Sequence, residues 1–226
     1  MLVGAVGGGS PPLALGEWTH GPAWSTIKVP LSIAGLRMSP STGVTDAMKA
    51  AITQSDNAAA DQVWQSLGPP DVAAKAVEAV LSDAGAPATV PAQRPRPEFS
   101  AFGQTDWSLA DQVKFLSWAR CDSANAPVLS LMGEVEGDQR WGLGDMQNAL
   151  IKGGWGPATD GKYLVRQIAV INTPAGQTAV AMAAVPASGS FADGTGVLTK
   201  LAAWLGEHLA ELPGGQCSAP SSTPPG

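Results

Sequence analysis

The spacing of apolar positions changes twice along the chain. "LVGAV" and "LALGEW" near the start are short apolar runs split by "GGGSPP", which predicts a strand, a turn and a strand. From Thr26 to Leu36 the apolar positions suit a buried helix, with Ser25 near its N-terminus and Pro30 in its first turn, where a missing N–H costs little. "TDAMKAAITQ", with Thr45 as N-cap, and "NAAADQVWQSLG", closed by Gly68, predict two more helices. In "PPDVAAKAVEAVLSDAG" Pro and Asp open a fourth, Val72, Ala76, Val80 and their neighbours form its apolar stripe, and Gly85 ends it. The Pro-rich segment 86–105 forbids regular helix or central strand and reads as a long loop, ordered or mobile. "SLADQVKFLSWAR" is a fifth helix, with Ser108 as N-cap.

Past "WGLGDM" the runs become β-rich. "NALIKGGWG", "KYLVRQIAVIN" and "QTAVAMAAV", joined by "PATDG" and "TPAG", predict a three-stranded antiparallel meander. "GVLTKLAAWLGEHLAEL" closes the chain with an amphipathic helix whose face carries Leu198, Leu201, Leu205 and Leu209, with Trp204 beside them. The order implies an α/β fold: a five-stranded antiparallel sheet flanked by helices, with an inserted all-helical lobe. The expected division is residues 1–24 plus 145–212 in the α/β lobe, 25–144 in the helical lobe, and 213–226 as a flexible C-terminal tail rich in Pro, Ser and Gly. A cleft between two such lobes is a common place for a ligand.

Composition narrows the chemistry. The 226 residues are 44% apolar, enough for a sizeable core, and the formal net charge of −6 offers no basic field for nucleic acid or an anionic membrane. No apolar run approaches a membrane span. The first residues lack the basic and continuous apolar regions of a signal peptide, so Met1 reads as the start of a trimmed chain whose signal or lipid anchor lay upstream. Cys121 and Cys217 have no metal-ligand spacing; they could pair in an oxidising compartment or remain two inert thiols.

The candidate chemistry begins with Ser25 and Lys28. Ser25 is the only serine with lysine at the third position after it, and the lysine falls in the helix expected to be buried. A buried ammonium is costly unless paired or lowered in pKa, although a lysine in a first turn can also snorkel to solvent. Two further motifs follow in order: Ser55-Asp56-Asn57, and Lys152-Gly153-Gly154 on the first strand of the meander. S-x-x-K, S-D-N and a lysine-glycine strand in this order resemble the signature of the serine β-lactamase and penicillin-binding protein (D,D-peptidase) superfamily. "AAITQSDNAAADQVWQSLG" is similar to the corresponding helix–loop–helix of class A β-lactamases.

The resemblance implies roles. Ser25 would be the nucleophile and Lys28 its base; Ser55 would bridge Lys28 and Lys152 and pass a proton to the leaving nitrogen. Asn57 would bind the substrate's amide carbonyl, and Gly153, Gly154 and Trp155 would line the substrate strand, with the N–H groups of Ser25 and Trp155 as oxyanion hole. Lys152 would supply positive potential for a substrate carboxylate, and Arg166 would hold that carboxylate from the next strand.

Two features depart from the family. Gly153 stands where the family has Thr or Ser, and the E-x-x-L-N of class A β-lactamases, which carries the deacylation base, is missing. Glu98, the only acid of the Pro-rich segment, could serve as that base or pair with Arg94 or Arg96. Trp141 and Trp155 fall near the expected cleft, Trp141 as core or hinge packing. The expected function is an exported, penicillin-recognising serine hydrolase or acyltransferase, periplasmic, cell-wall-associated or lipid-anchored. It would act as a monomer, without metal or cofactor, on a β-lactam or a peptidoglycan stem peptide. The alternative is an impaired binding module that recognises peptidoglycan or a protein partner.

Overall fold

The computed structural model describes residues 1–218. Strands β1 (Leu2–Ala5) and β2 (Leu13–Ala14) open the chain, and β3 (His20–Pro22) leads into a 3-10 turn, Trp24–Ile27. Helices α1 (Lys28–Met38), α2 (Asp46–Thr53), α3 (Asn57–Ser66) and α4 (Pro70–Asp83) follow. After the Pro-rich segment come β4 (Asp106–Ser108), α5 (Leu109–Cys121) and α6 (Ala126–Leu131). The meander β5 (Leu150–Pro157), β6 (Tyr163–Thr173) and β7 (Gly176–Ala184) precedes the closing helix α7 (Phe191–Glu207).

Five strands form one antiparallel sheet in the order β2-β1-β7-β6-β5, so the chain's beginning pairs with its last strand and β5 is left at an edge. The sheet is covered on both faces, which explains why β6 reads as a continuous apolar run rather than an alternation. Its Ile168 and Val170 join the core shared with the helical lobe and α5, while Ala169 and Ile171 join a second core under α7. In the helical lobe α1 packs against α2, α3, α4 and α6. Lys28 through Leu36 are buried without a break, as a central helix requires.

Local signals acted where the chain placed them. The hydroxyls of Thr45 and Ser108 accept the N–H groups of Met48 and Asp111 as N-caps. The Pro-rich segment, without regular structure of its own beyond the 3-10 turn Phe102–Gln104, is held in place. The Gln104 side chain bonds the backbone of Arg96, Phe99 and Ser100, and Arg96 reaches across to the carbonyl of Pro157.

Some expectations are corrected. The buried stripe of α4 is Ala73, Val77, Val80 and Leu81, whereas Val72 is 47% exposed: in an alanine-rich helix several stripes compete, and contact with α1 selects one. β3 and β4 pair as a separate two-stranded ribbon that the pattern did not suggest, and α6 was likewise not foreseen. α7 begins five residues before Gly196, at Phe191, because the Ser190 hydroxyl caps it through Asp193 N–H; Leu209 lies beyond its end at Glu207.

The segment expected to be a flexible tail is anchored over 213–218, while 219–226 lie outside the described residues. Gly215 exchanges both backbone hydrogen bonds with Gln177, and Thr178 donates to the carbonyl of Pro213. Cys217 is disulfide-bonded to Cys121 at the end of α5. No helix among the described residues is long and apolar enough to cross a membrane.

The disulfide joins positions 96 residues apart, so it restricts a long loop of the unfolded chain. Replacing both cysteines by serine is expected to lower the free energy of unfolding by about 2–4 kcal/mol, measured by urea denaturation.

Candidate active site

The first motif sits where the chain leaves β3 and tightens into the 3-10 turn. Trp24 adopts φ of 48°, a left-handed conformation uncommon for a large residue and typical of backbone held for a purpose. The turn is pinned from both sides: Ala23 N–H donates to Thr105, and the Thr26 hydroxyl donates to Ala23 O while accepting from Gln112. Lys28 starts α1 one turn beyond Ser25 and is 1% exposed, so it does not snorkel to bulk solvent.

The second motif turns the chain between α2 and α3. Ser55 also has a left-handed backbone, φ 56°, and Asp56 caps α3 by accepting Ala59 N–H at 2.7 Å. That geometry aims the carbonyl and side chain of Ser55, and the side chain of Asn57, at Lys28. The Lys28 ammonium donates to Ser55 O at 2.6 Å, to Asn57 Oδ1 at 2.8 Å and, more weakly, to Ser55 Oγ at 3.5 Å. In this arrangement its hydrogen bonds run to the second motif rather than to Ser25.

The third motif approaches from the edge strand. Lys152, fully buried, donates to Ser55 Oγ at 2.7 Å and to Gly153 O at 2.9 Å. Gly154 lets the strand lie directly against the turn that carries Ser25: a Cβ there would sit 2.9 Å from Ser25 N and 3.0 Å from Ala23 O. An edge strand leaves alternate backbone N–H groups unpaired, so β5 can present such donors beside the Ser25 N–H.

One hydroxyl thus stands between two buried ammonium groups. Burial lowers Lys28 to about 8, although the nearby carboxylates of Asp56 and Asp61 pull it upward. Burial, and then repulsion from Lys28, holds Lys152 well below the usual lysine range. With a value near 8, about a tenth of the Lys28 amine is neutral at pH 7, the form that accepts a proton.

Ser25, Lys28, Ser55, Asn57, Glu98 and Trp155 all line one cavity of about 330 Å³. Lys152 joins them through Ser55 Oγ. Gly153 and Arg166 do not line it. A Cβ at Gly153 would meet the indole of Trp141 at 2.8 Å, so that ring occupies the space beside the motif. Arg166 corrects the expectation of a carboxylate clamp. It is fully buried, donating to the carbonyls of Gly21, Pro22 and Trp107 and to Gln112 Oε1, because β3 and β4 bring a group of backbone acceptors over the interior strand β6. Burial lowers its guanidinium to about 9, against the opposing pull of Asp106.

Glu98 lies at the cavity but its carboxylate is paired with Arg96 at 3.2 Å. Arg94 pairs instead with Asp61, 3.7 Å away. Asp61 was missed from sequence; it lies four residues after Asn57 on α3, hence on the same face, and that spacing was the available signal. The cavity's aromatic lining by Trp24, Phe99, Phe102 and Tyr163 was also missed, because Trp24, the Pro-rich segment that carries Phe99 and Phe102, and Tyr163 meet only in the fold. Among the described residues no group of His, Cys, Asp or Glu is arranged to hold a metal ion.

The fold is similar to solved structures of β-lactamases. The TLA-3 extended-spectrum β-lactamase superposes with a TM-score of 0.73 at 15% identity, covering 92% of this chain and 91% of that one. A β-lactamase from Chitinophaga pinensis gives 0.71 at 16% identity, covering 91% and 92%. An ancestral class A β-lactamase gives 0.62 at 20% identity, covering 90% and 92%. No protein-family model matches the sequence, and no match is found among curated proteins. The likeness spans nearly the whole of each chain and establishes a β-lactamase-like fold.

Arg166→Ala is expected to act on the fold, because it strips buried carbonyls and the Gln112 amide oxygen of their donors. The loss of stability should exceed about 3 kcal/mol, read as a fall in the urea midpoint, with no selective loss of affinity for carboxylate-bearing ligands.

Proposed function

We propose that this chain is an exported serine hydrolase or acyltransferase that forms an acyl-enzyme on Ser25, with β-lactams or D-Ala-D-Ala-like peptides as its substrate class. The observation that carries the reading is the convergence of Lys28, Ser55 and Lys152 on the cavity that holds Ser25. The similar structures, described as β-lactamases, support it.

In this reading neutral Lys28 takes the Ser25 Oγ proton as the oxygen attacks the substrate's carbonyl carbon. The N–H groups of Ser25 and Trp155 receive the developing oxyanion. As the C–N bond breaks, the Ser55 hydroxyl gives its proton to the leaving nitrogen and is resupplied by the flanking ammonium groups. Asn57 uses its oxygen to hold Lys28, which frees its NH₂ to donate to a substrate carbonyl. Hydrolysis of the acyl-enzyme then needs a base for water, and Glu98, paired with Arg96, is poorly disposed for it, so the adduct should be long-lived. The Cys121–Cys217 bond supports export to an oxidising compartment.

A second reading is a cleft that binds peptidoglycan or a protein partner without turnover. It is favoured by the Lys28 hydrogen bonds, which run to Ser55 and Asn57 rather than to Ser25.

Intact-mass analysis separates the two. Incubation with benzylpenicillin or a cephalosporin is expected to add the mass of one ligand, lost in Ser25→Ala, with a lifetime that Glu98→Gln leaves within about twofold. Absence of an adduct together with absence of hydrolysis would favour the binding module. The acylation rate should rise with pH through a midpoint near 8, because the reactive form is the neutral amine, and Lys28→Met should remove both the rate and the midpoint.

A further inference from the structure

Away from Ser25 the described residues form another cavity, of about 600 Å³, at the far end of β6. Tyr163, where that strand begins, lines the Ser25 cavity, and Thr173, where it ends, lines this one, so the two lie roughly 30 Å apart along the sheet. Its walls are fixed. Cys121 and Cys217 line it and are bonded to each other, Gly215 exchanges both backbone hydrogen bonds with Gln177, and the Thr173 hydroxyl donates to the Gly176 carbonyl.

Arg120, in the last turn of α5, lines this cavity, and no carboxylate does. The other arginines each have an acceptor in the protein: Arg37 has Asp83, Arg94 has Asp61, Arg96 has Glu98, Arg140 has the Gly144 carbonyl, and Arg166 has its group in the core. Arg120 has none among the described residues, and its Nε is buried without a partner. A buried guanidinium N–H left unpaired is costly, and the planar fork matches the two oxygens of a carboxylate or phosphate. Around it stand groups that suit hydroxyls. Asn172 Oδ1 accepts from Gln177 Nε2 at 3.2 Å, which leaves the Asn172 NH₂ to donate. The Ser123 hydroxyl and the Gln216 amide, also in the lining, have no side-chain hydrogen bond among the described residues.

We propose that this cavity is a binding site for a sugar acid or sugar phosphate, with the oxyanion on Arg120 and the ring hydroxyls on Ser123, Asn172 and Gln216. The site is independent of acylation at Ser25. A lining with a cation and no carboxylate favours an anion even though the chain as a whole carries a net charge of −6. The disulfide ties the segment that bears Arg120 to the one that bears Gln216, so little order remains to be lost when a ligand enters.

The test is a titration of the full chain with glucuronate, with glucose 1-phosphate and, as the neutral counterpart, with glucose, followed through the backbone ¹H–¹⁵N signals of Gly176 and Gly215. Each anion is expected to move these signals with a Kd on the order of 1 mM, and glucose at least about tenfold more weakly. Arg120→Gln should weaken both anions at least about tenfold. Asn172→Asp, an exposed substitution that adds a carboxylate to the lining, should weaken them as well, so the proposal stays open to refutation if Arg120→Gln fails to fold. Tighter binding of one anion supports the proposal and names carboxylate or phosphate as the group recognised. No movement with either anion, movement that glucose matches, or anion binding unchanged in the folded variants overturns it.

Discussion

The site depends on the burial of two ammonium groups around one hydroxyl. Two like charges in low dielectric repel and each is denied hydration, so the arrangement persists only if the protein supplies acceptors and lowers the average charge. Here the acceptors are the Ser55 carbonyl and hydroxyl, the Asn57 amide oxygen and the Gly153 carbonyl. The remaining cost appears as lowered affinity for protons, which is the property a general base needs. Asp56, at the N-cap of α3, and Asp61, in the same cavity, moderate it by pulling Lys28 upward against burial.

The fold holds this cost in place by making its three contributors structurally inflexible. Lys28 belongs to a helix buried on every side from Lys28 to Leu36, Ser55 to a left-handed turn fixed by an N-cap, and Lys152 to a strand whose neighbouring glycine lets it abut the turn that carries Ser25. None of these could relax toward water without unpacking a core. The sheet's two apolar faces serve the same end, since they clamp β5 through β6 against both the helical lobe and α7.

The elements that were legible in the sequence are those whose signals are local. Thr45 and Ser108 announced helix starts, β-rich runs joined by short turn segments announced the meander, and three short motifs announced the residues around Ser55. What escaped was decided by partners distant in sequence. Val72 and Val77 are equivalent by spacing until α1 chooses between them, and His20–Pro22 becomes a strand only because Asp106–Ser108 lies beside it. Arg166 looked like a cleft residue because its strand adjoins β5; the carbonyls of Gly21 and Pro22, which claim it, come from the far end of the chain. Gly153 marked a departure from the family's motif, but nothing near it in sequence pointed to Trp141 as the group that fills the gap.

The central claim is that burial brings the Lys28 ammonium down to about 8 in the folded protein. Selective ¹³C labelling of lysine, with the Lys28 signal assigned by Lys28→Met, gives its titration directly by NMR. The account predicts a midpoint near 8, two units or more below that of the exposed lysines. A Lys28 signal that titrates with the exposed lysines, at about 10.4, would contradict it.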